Sequence, residues 1–390
     1  YRHYGGPEYQ VEVGLLSRSI VFETSSSVLA ATPGFGGNIM VHSGKAKVSG
    51  VELRGLGQRN FIGRYPFHFH HMGSAPGSYF TDSSVWRSNW RGAVIHRTND
   101  VLVSRNVAFD VFGHCFYLED GVEVRNELSF NLAAGVKIMG PTDPTSLAAL
   151  NTYDQAGFTV NESSDLVQPA DRAAAGFYLP NGNNRVIGNA ASGGFAAYAF
   201  PSLPEALGSP QPTGIVPLAY GISRFDGNSA HSSNYLWDKG GCVYVGGVLR
   251  FVDVGGQRTL QYQSGRTTDY NLLRHNGDVL NNTKTFLCTL GVTHWGGDVR
   301  VVNFESWDND LLGQVFGAAS VQSALVVGRT GNVINTPRVT GLTRGFQFYE
   351  GTEPARRINV RFSGAYVAGL SQGAGGNLAV ARLEPLLVGG

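Results

Sequence analysis

Three of the chain's ten histidines stand within four positions, in the stretch GRYPFHFHHMG at residues 63–73. A single phenylalanine separates His68 from His70, the spacing that puts two side chains on one side of an extended strand. If the strand buries Phe67 and Phe69, then Arg64, Pro66, His68 and His70 face the other way, and His71 falls back on the phenylalanine side or in a turn. Imidazoles about 6.6 Å apart along a strand can converge on one divalent ion when a neighbouring strand adds a third ligand. His96, in GAVIHRT, is the geometric candidate. Metal ligation by His68, His70 and His96 stands beside a metal-free alternative, in which the rings hydrogen-bond a substrate or one another.

The same alternation extends the face into later segments. GHCFYLEDG turns Phe116 and Leu118 inward and Tyr117 and Glu119 outward. AAGVKIMG turns Val136 and Ile138 inward and Lys137 outward, and AAGFYLPN turns Phe177 and Leu179 inward and Tyr178 outward. Stacked about 4.8 Å apart, these strands would present His68, His70, His96, Tyr117, Glu119, Lys137 and Tyr178 as one strip, with Arg64 at its end. Such a strip suits acid–base chemistry on a sugar. Glu119 is the candidate general acid, opposed by Asp120 or by a water that His70, His96 or His114 activates. Arg64 and Lys137 would neutralise an acidic substrate, while Tyr117 and Tyr178 would line its groove as apolar platforms with a hydroxyl. Glu119 and Asp120 point to opposite faces if the strand continues, and Asp120-Gly121 also reads as a turn pair. His114, beside Gly113, could cap a turn, and His231 and His294 read as structural.

The elements that must hold this strip are strands. Short β-branched and aromatic runs alternate with Asn, Asp and Gly, and long amphipathic helical patterns are absent. NDVLVSRNVAFD (99–110), GVEVRNELSFN (121–131), NNRVIGNAASG (183–193) and ISRFDGNSAHS (222–232) each give a strand, an Asn or Gly, and a second apolar run. VRVVNFESWDND (299–310) is related. A repeat of about 20–26 residues with one Asn-rich corner predicts an all-β chain, a single right-handed parallel β-helix over residues 1–390. Loops are expected to interrupt it at 140–175 and, in a proline-rich stretch, at 201–217. A propeller or sandwich is the runner-up.

The formal net charge of +1 argues against a nucleic-acid partner, and no apolar run reaches the roughly 18 residues of a membrane helix. Cys115, Cys242 and Cys288 are three, widely spaced and in apolar settings. They read as small buried hydrophobes, neither a disulfide framework nor a zinc knuckle. Sequons at Asn161 and Asn281 are compatible with secretion. The chain starts at Tyr1 without methionine or signal peptide, as a processed or trimmed piece would.

EVGLLSRSIVFE (12–23), GQRNFIGRYPFHFHHMG (57–73), SSVWRSNWRGAVIHRTNDVLVSRNVAFDVFGHCFYLEDGVE (83–123), GFYLPNGNNRVIGNAASG (176–193) and FDGNSAHSS (225–233) together resemble the CEMIP (cell-migration-inducing hyaluronan-binding protein) family and the related fibrocystin group. Weaker echoes continue through FLCTLGVTHWGG (286–297), SALVVGRTGN (323–332) and GFQFYEG (345–351). The resemblance implies a secreted or cell-surface parallel β-helix and, in the CEMIP branch, depolymerisation of hyaluronan. Its motif positions here are Arg64, His68, His70, His96, His114, Glu119 and Asp120. His71 departs from the family pattern.

Three functions follow as expectations. The first is hyaluronidase-like glycoside hydrolysis of an acidic or amino-sugar polysaccharide, with a divalent metal ion as the cofactor to test. The second is a polysaccharide lyase, in which Tyr117, Lys137 or a histidine abstracts the proton α to a uronate carboxylate. The third is a non-catalytic surface, adhesive or filament-forming module of fibrocystin type, whose β-helix self-associates through its ends.

Overall fold

The computed structural model describes residues 6, 8–59, 61–137, 158–159, 174–207, 214–233, 241–254, 257–263, 276–294, 298–309, 311–315, 318–327, 344–348, 360–364 and 366–368. Its strands form three sheets of eleven, ten and twelve members among those residues. The chain visits them in rotation. Ile39–Val41 lies in the third sheet, Lys47–Ser49 in the second and Val51–Arg54 in the first, before Phe67–Ser74 returns to the third. Each strand pairs in parallel with its counterpart one coil later, as Phe67 does with Ala93 and Phe116 with Phe177. The expected parallel β-helix is the observed fold. Among the described strands the antiparallel pairs belong to the excursion of Gly241–Val254, which folds back on Gln257–Gln263 and through it meets Phe158–Thr159, and one isolated antiparallel bridge joins Phe35 to Gln58.

One corner shows how the repeat is written. Between the second and first sheets the chain turns through a single left-handed residue, at Asp82, Arg105, Phe130, Gly188, Gly227, Asn282, Asn303 and Ser323. In four successive coils an asparagine follows. Asn106, Asn131, Asn189 and Asn228 are buried and stacked, and the backbone N–H of each of the first three donates over 2.9–3.0 Å to the amide oxygen of the next asparagine along. Their amide N–H groups donate to the carbonyls of Phe80, Val103, Leu128 and Val186. The ladder satisfies polar backbone that the turn would otherwise bury unpaired. This is the Asn-rich corner of the sequence repeat.

The parity of the third sheet is as read from the sequence. Phe67, Phe69, Ala93, Ile95, Phe116, Leu118, Phe177 and Leu179 all belong to the central core. Aromatic rings stack along the axis there, Phe116 on Phe177 at 4.7 Å and Phe177 on Tyr198 at 4.9 Å. Outside the first sheet, residues 9–18 run along the coils as a strap. Tyr9 donates to Asp308 at one end, Glu12 meets His231, and Arg18 donates to the Asp82 carbonyl at the other.

Two readings need correction or placing. Cys242 and Cys288 form a disulfide, with Cα atoms 5.9 Å apart, because the parallel pairing of Val243 with Val292 brings their neighbouring coils together across 46 positions of sequence. Cys115 alone is the buried free thiol expected of all three. The 140–175 segment and Asn161 lie mostly outside the described residues, with Ala175 already in the next coil. Pro201 and Ser202 still belong to the strand Ala196–Ser202.

Asn131→Leu should lower the unfolding free energy by about 3 kcal/mol, by leaving the backbone N–H of Asn106 buried without its partner and taking the side-chain donor from the carbonyl of Val103. Denaturant titration measures it, and a loss within about 0.5 kcal/mol would contradict the ladder's role. Replacing Cys242 and Cys288 together by alanine should cost about 2–4 kcal/mol in the same titration.

Candidate functional site

The outward side of the third sheet is not an open strip. His68, Tyr117 and Glu119 are at most 1 % exposed, Tyr178 is 3 % exposed and His96 8 %. The chain between the first and third sheets folds over these positions, and Tyr65 packs its ring 4.9 Å from His68 and 5.3 Å from Trp90. On the far side Leu207 donates from its backbone to the Asp120 carbonyl, so part of the proline-rich stretch also covers the site. The expected surface groove is a buried polar centre.

That centre gathers His68, His70, His96, Glu119 and Asp120. His70 pairs directly with His96 in the sheet register. Nδ1 of His70 lies 3.3 Å from Nε2 of His68 and 3.1 Å from Nδ1 of His96. Ring nitrogens of His68, His70 and His96 all fall within 4.8 Å of one another, close enough to share one metal ion. Glu119 Oε2 sits 3.7 Å from His68 and 3.5 Å from His96, while Asp120 Oδ2 is 3.0 Å from Nε2 of the same His96. The strand ends at Leu118, so Glu119 and Asp120 do not obey its alternation. Both meet His96, correcting the opposite-face reading.

Four residues that the sequence strip did not include complete the centre. Tyr65 donates to Glu119 Oε1 at 2.8 Å and accepts from Arg91 at 2.7 Å. Arg91 is fully buried, with its guanidinium over the rings of Tyr65, Trp90 and Tyr117. Glu123 accepts from the backbone N–H groups of Asp120, Gly121 and Arg97, and so shapes the Asp-Gly turn. Arg97 clamps Asp120 with an Nε–Oδ2 distance of 2.5 Å. An arginine in WRSNWRGAV reads as a surface cation, so only the neighbouring tryptophans hinted at burial under rings.

His71 also returns to the cluster. The pairing register shifts between His70 and Gly73, and His71 takes a left-handed conformation with φ of 53°. Its Nε2 then lies 3.3 Å from Nε2 of His96. With the exposed His42, 4.9 Å from His70 between ring centroids, it forms a histidine mouth over the buried centre.

Burial and charge set the protonation. Burial pushes His68 down to about 2 and His70 down to about 4, and neighbouring histidines reinforce both shifts. Both rings are neutral at pH 7 and offer lone pairs. Burial also pulls His96 down, but its Asp120 hydrogen bond and the Glu119 charge outweigh this and raise it. Burial raises Glu119, against the pull of His96 and Arg91, and raises Glu123, which Asp120 pushes further.

Four other expected site residues do not stand where the sequence placed them. Lys137 is in the first sheet, paired with Asp110, because its coil departs from the third-sheet path at that point. His114 is fully buried and its Nδ1 accepts from the backbone of Ala175, a link between coils. Tyr117 and Tyr178 stack on each other at 4.9 Å beneath the surface and cannot act as open sugar platforms. Arg64 is exposed beside the centre. His231 with Glu12, and the buried His294 with Asp278, form ion-pairing contacts away from it.

A family model described as the CEMIP β-helix matches residues 34–236, which include every residue of this cluster. A shorter match, 332–383, is to a bifunctional transglycosylase second domain, yet the described strands there continue the three sheets. Communication mutant protein F of Dictyostelium discoideum is 46 % identical over 354 residues, 89 % of this chain and 31 % of that protein. A G8 domain-containing protein of the same organism is 46 % identical over 357 residues, 90 % of this chain and again 31 % of its own length. The chain therefore spans about a third of these relatives. Human cell surface hyaluronidase CEMIP2 is 35 % identical over 210 residues, 48 % of this chain and 15 % of that protein.

Tyr65→Phe removes the hydroxyl that joins Arg91 to Glu119. It should destabilise the chain by about 2–3 kcal/mol in denaturant titration, since two charged partners lose a buried hydrogen bond. A change below about 0.5 kcal/mol would mean that the hydroxyl is not coupled to them.

Proposed function

The chain belongs to the CEMIP β-helix family, and from that premise we propose that it binds and cleaves hyaluronan, or a closely related acidic polysaccharide, outside the cell or at its surface. The observation that carries this reading is positional. The family match covers the whole histidine–carboxylate centre, and a relative named as a cell surface hyaluronidase shares 35 % of its residues over nearly half the chain. The Cys242–Cys288 disulfide suits an oxidising compartment.

Substrate meets the mouth of His42, His70 and His71, with the exposed Arg64 neutralising a uronate carboxylate. A neutral imidazole at the mouth serves as the base that activates water. Glu119 and Asp120 lie too deep to touch a polymer, at 1 % and 2 % exposure. They act as positioning residues through the rings they hold, in place of the general-acid role read from the sequence. Elimination at the uronate is the second enzymatic outcome, and its unsaturated product absorbs in the ultraviolet whereas a hydrolase's does not.

A non-catalytic, self-associating module is favoured by a different feature, the first coil. Ile20, Val21 and Phe22 are 42–56 % exposed on the first described strand of the first sheet, and exposed apolar strands invite stacking. Incubation with hyaluronan and a panel of acidic glycans separates the readings. Shortened glycan chains are expected. Unchanged chain lengths across the panel, with fibres or oligomers in light scattering, would replace the enzyme by the scaffold.

A further inference from the structure

Four side-chain atoms converge behind His70: Nε2 of His68, Nδ1 of His70, Nδ1 of His96 and Oε2 of Glu119. Four of the six edges between them are 3.3, 3.1, 3.7 and 3.5 Å, for His68–His70, His70–His96, His68–Glu119 and His96–Glu119. A tetrahedral zinc ion with ligands at about 2.0–2.1 Å sets those ligands about 3.3–3.4 Å apart. Those four of the six edges bracket that spacing, and the three ring nitrogens all lie within 4.8 Å of one another.

Hydrogen bonding accounts for only part of the convergence. The other ring nitrogen of His68 lies 3.0 Å from the Gly63 carbonyl, which only an N–H can satisfy, so Nε2 carries a lone pair in the neutral ring. Nε2 of His96 lies 3.0 Å from Asp120 Oδ2 and donates in the same way, leaving a lone pair on Nδ1 of its neutral ring. Glu119 Oε2 is buried with no hydrogen-bond partner, although its other oxygen is held by Tyr65. With neutral rings, three acceptors therefore face one centre and His70 can bring them at most one proton. Three acceptors gathered around at most one donor are an arrangement that a cation resolves.

We propose that His68, His70, His96 and Glu119 form a four-ligand site for a divalent transition metal of the zinc class. Three imidazoles and one carboxylate select zinc, cobalt, nickel or copper over magnesium and calcium, which take oxygen ligands. Every ligand but His70 has its outer atom fixed, His68 by Gly63, His96 by Asp120 and Glu119 by Tyr65. Such outer contacts orient ligands and sustain affinity. His70 is half-buried and carries the link from the ion to the mouth. The site goes beyond the glycan reading and holds whether or not the chain cleaves a polysaccharide.

The test is metal content, read independently of turnover. The tag-free chain is stripped with chelator, dialysed against zinc or cobalt, and measured by elemental analysis, visible absorption and thermal unfolding. One ion per chain is expected, with the strong visible bands of tetrahedral cobalt and a higher melting temperature than the stripped chain. Glu119→Gln keeps the shape and a partner for Tyr65, and His70→Ala alters the most exposed ligand. Each should weaken zinc binding at least tenfold while circular dichroism remains that of the wild type, and Lys137→Ala should bind zinc unchanged. A wild-type chain that retains no ion, its centre held by a proton on His96, overturns the site. Zinc affinity unchanged in Glu119→Gln overturns the four-ligand assignment.

Discussion

Strands paired in parallel and in register place equivalent positions about 4.8 Å apart, so each coil must accept what the next one presents. Phe116 lies over Phe177, Asn106 over Asn131, and His70 beside His96 for this one reason. Where the stacked groups are apolar or amides, the repetition is stabilising. Where they are titratable, the same spacing forces ionisable groups together, and burial then raises the cost of leaving any of them charged and unpaired. The histidine centre is a consequence of the ladder as much as of its residues.

The centre answers that constraint with a graded set of partners. Arg91 and Tyr65 hold one oxygen of Glu119, Arg97 clamps Asp120, and backbone N–H groups saturate Glu123. These carboxylates are held in part by fixed cations and backbone dipoles, which leaves the lone pairs of the imidazoles directed inward. A cation among them adds the charge that the buried oxygen of Glu119 lacks. Access runs from the surface through His70 and its neighbours, so the chemistry of the mouth and the chemistry of the buried ligands are joined by one ring.

Alternation made much of this legible in the sequence. The inward set from Phe67 to Leu179 and the Asn-rich corner follow from period two and the coil repeat, both local patterns. Burial of the outward face was not legible, because it depends on Tyr65 and Leu207 folding over the sheet from separate connections. His71 escaped because a register shift cancels the alternation at that residue. The partnership of Cys242 with Cys288 depends on how long each coil's excursions are, which turn residues do not encode. Lys137 misled for the opposite reason, since its strand has the right parity in the wrong sheet.

The central claim is that an ion completes the buried histidine–carboxylate centre. Diffraction from zinc-equilibrated crystals, recorded on both sides of the zinc absorption edge, tests it most directly. The account predicts one strong anomalous peak within bonding distance of His68 Nε2, His70 Nδ1, His96 Nδ1 and Glu119 Oε2. Density for water there with no anomalous signal, or an ion bound only at the exposed His42 and His71, would contradict it.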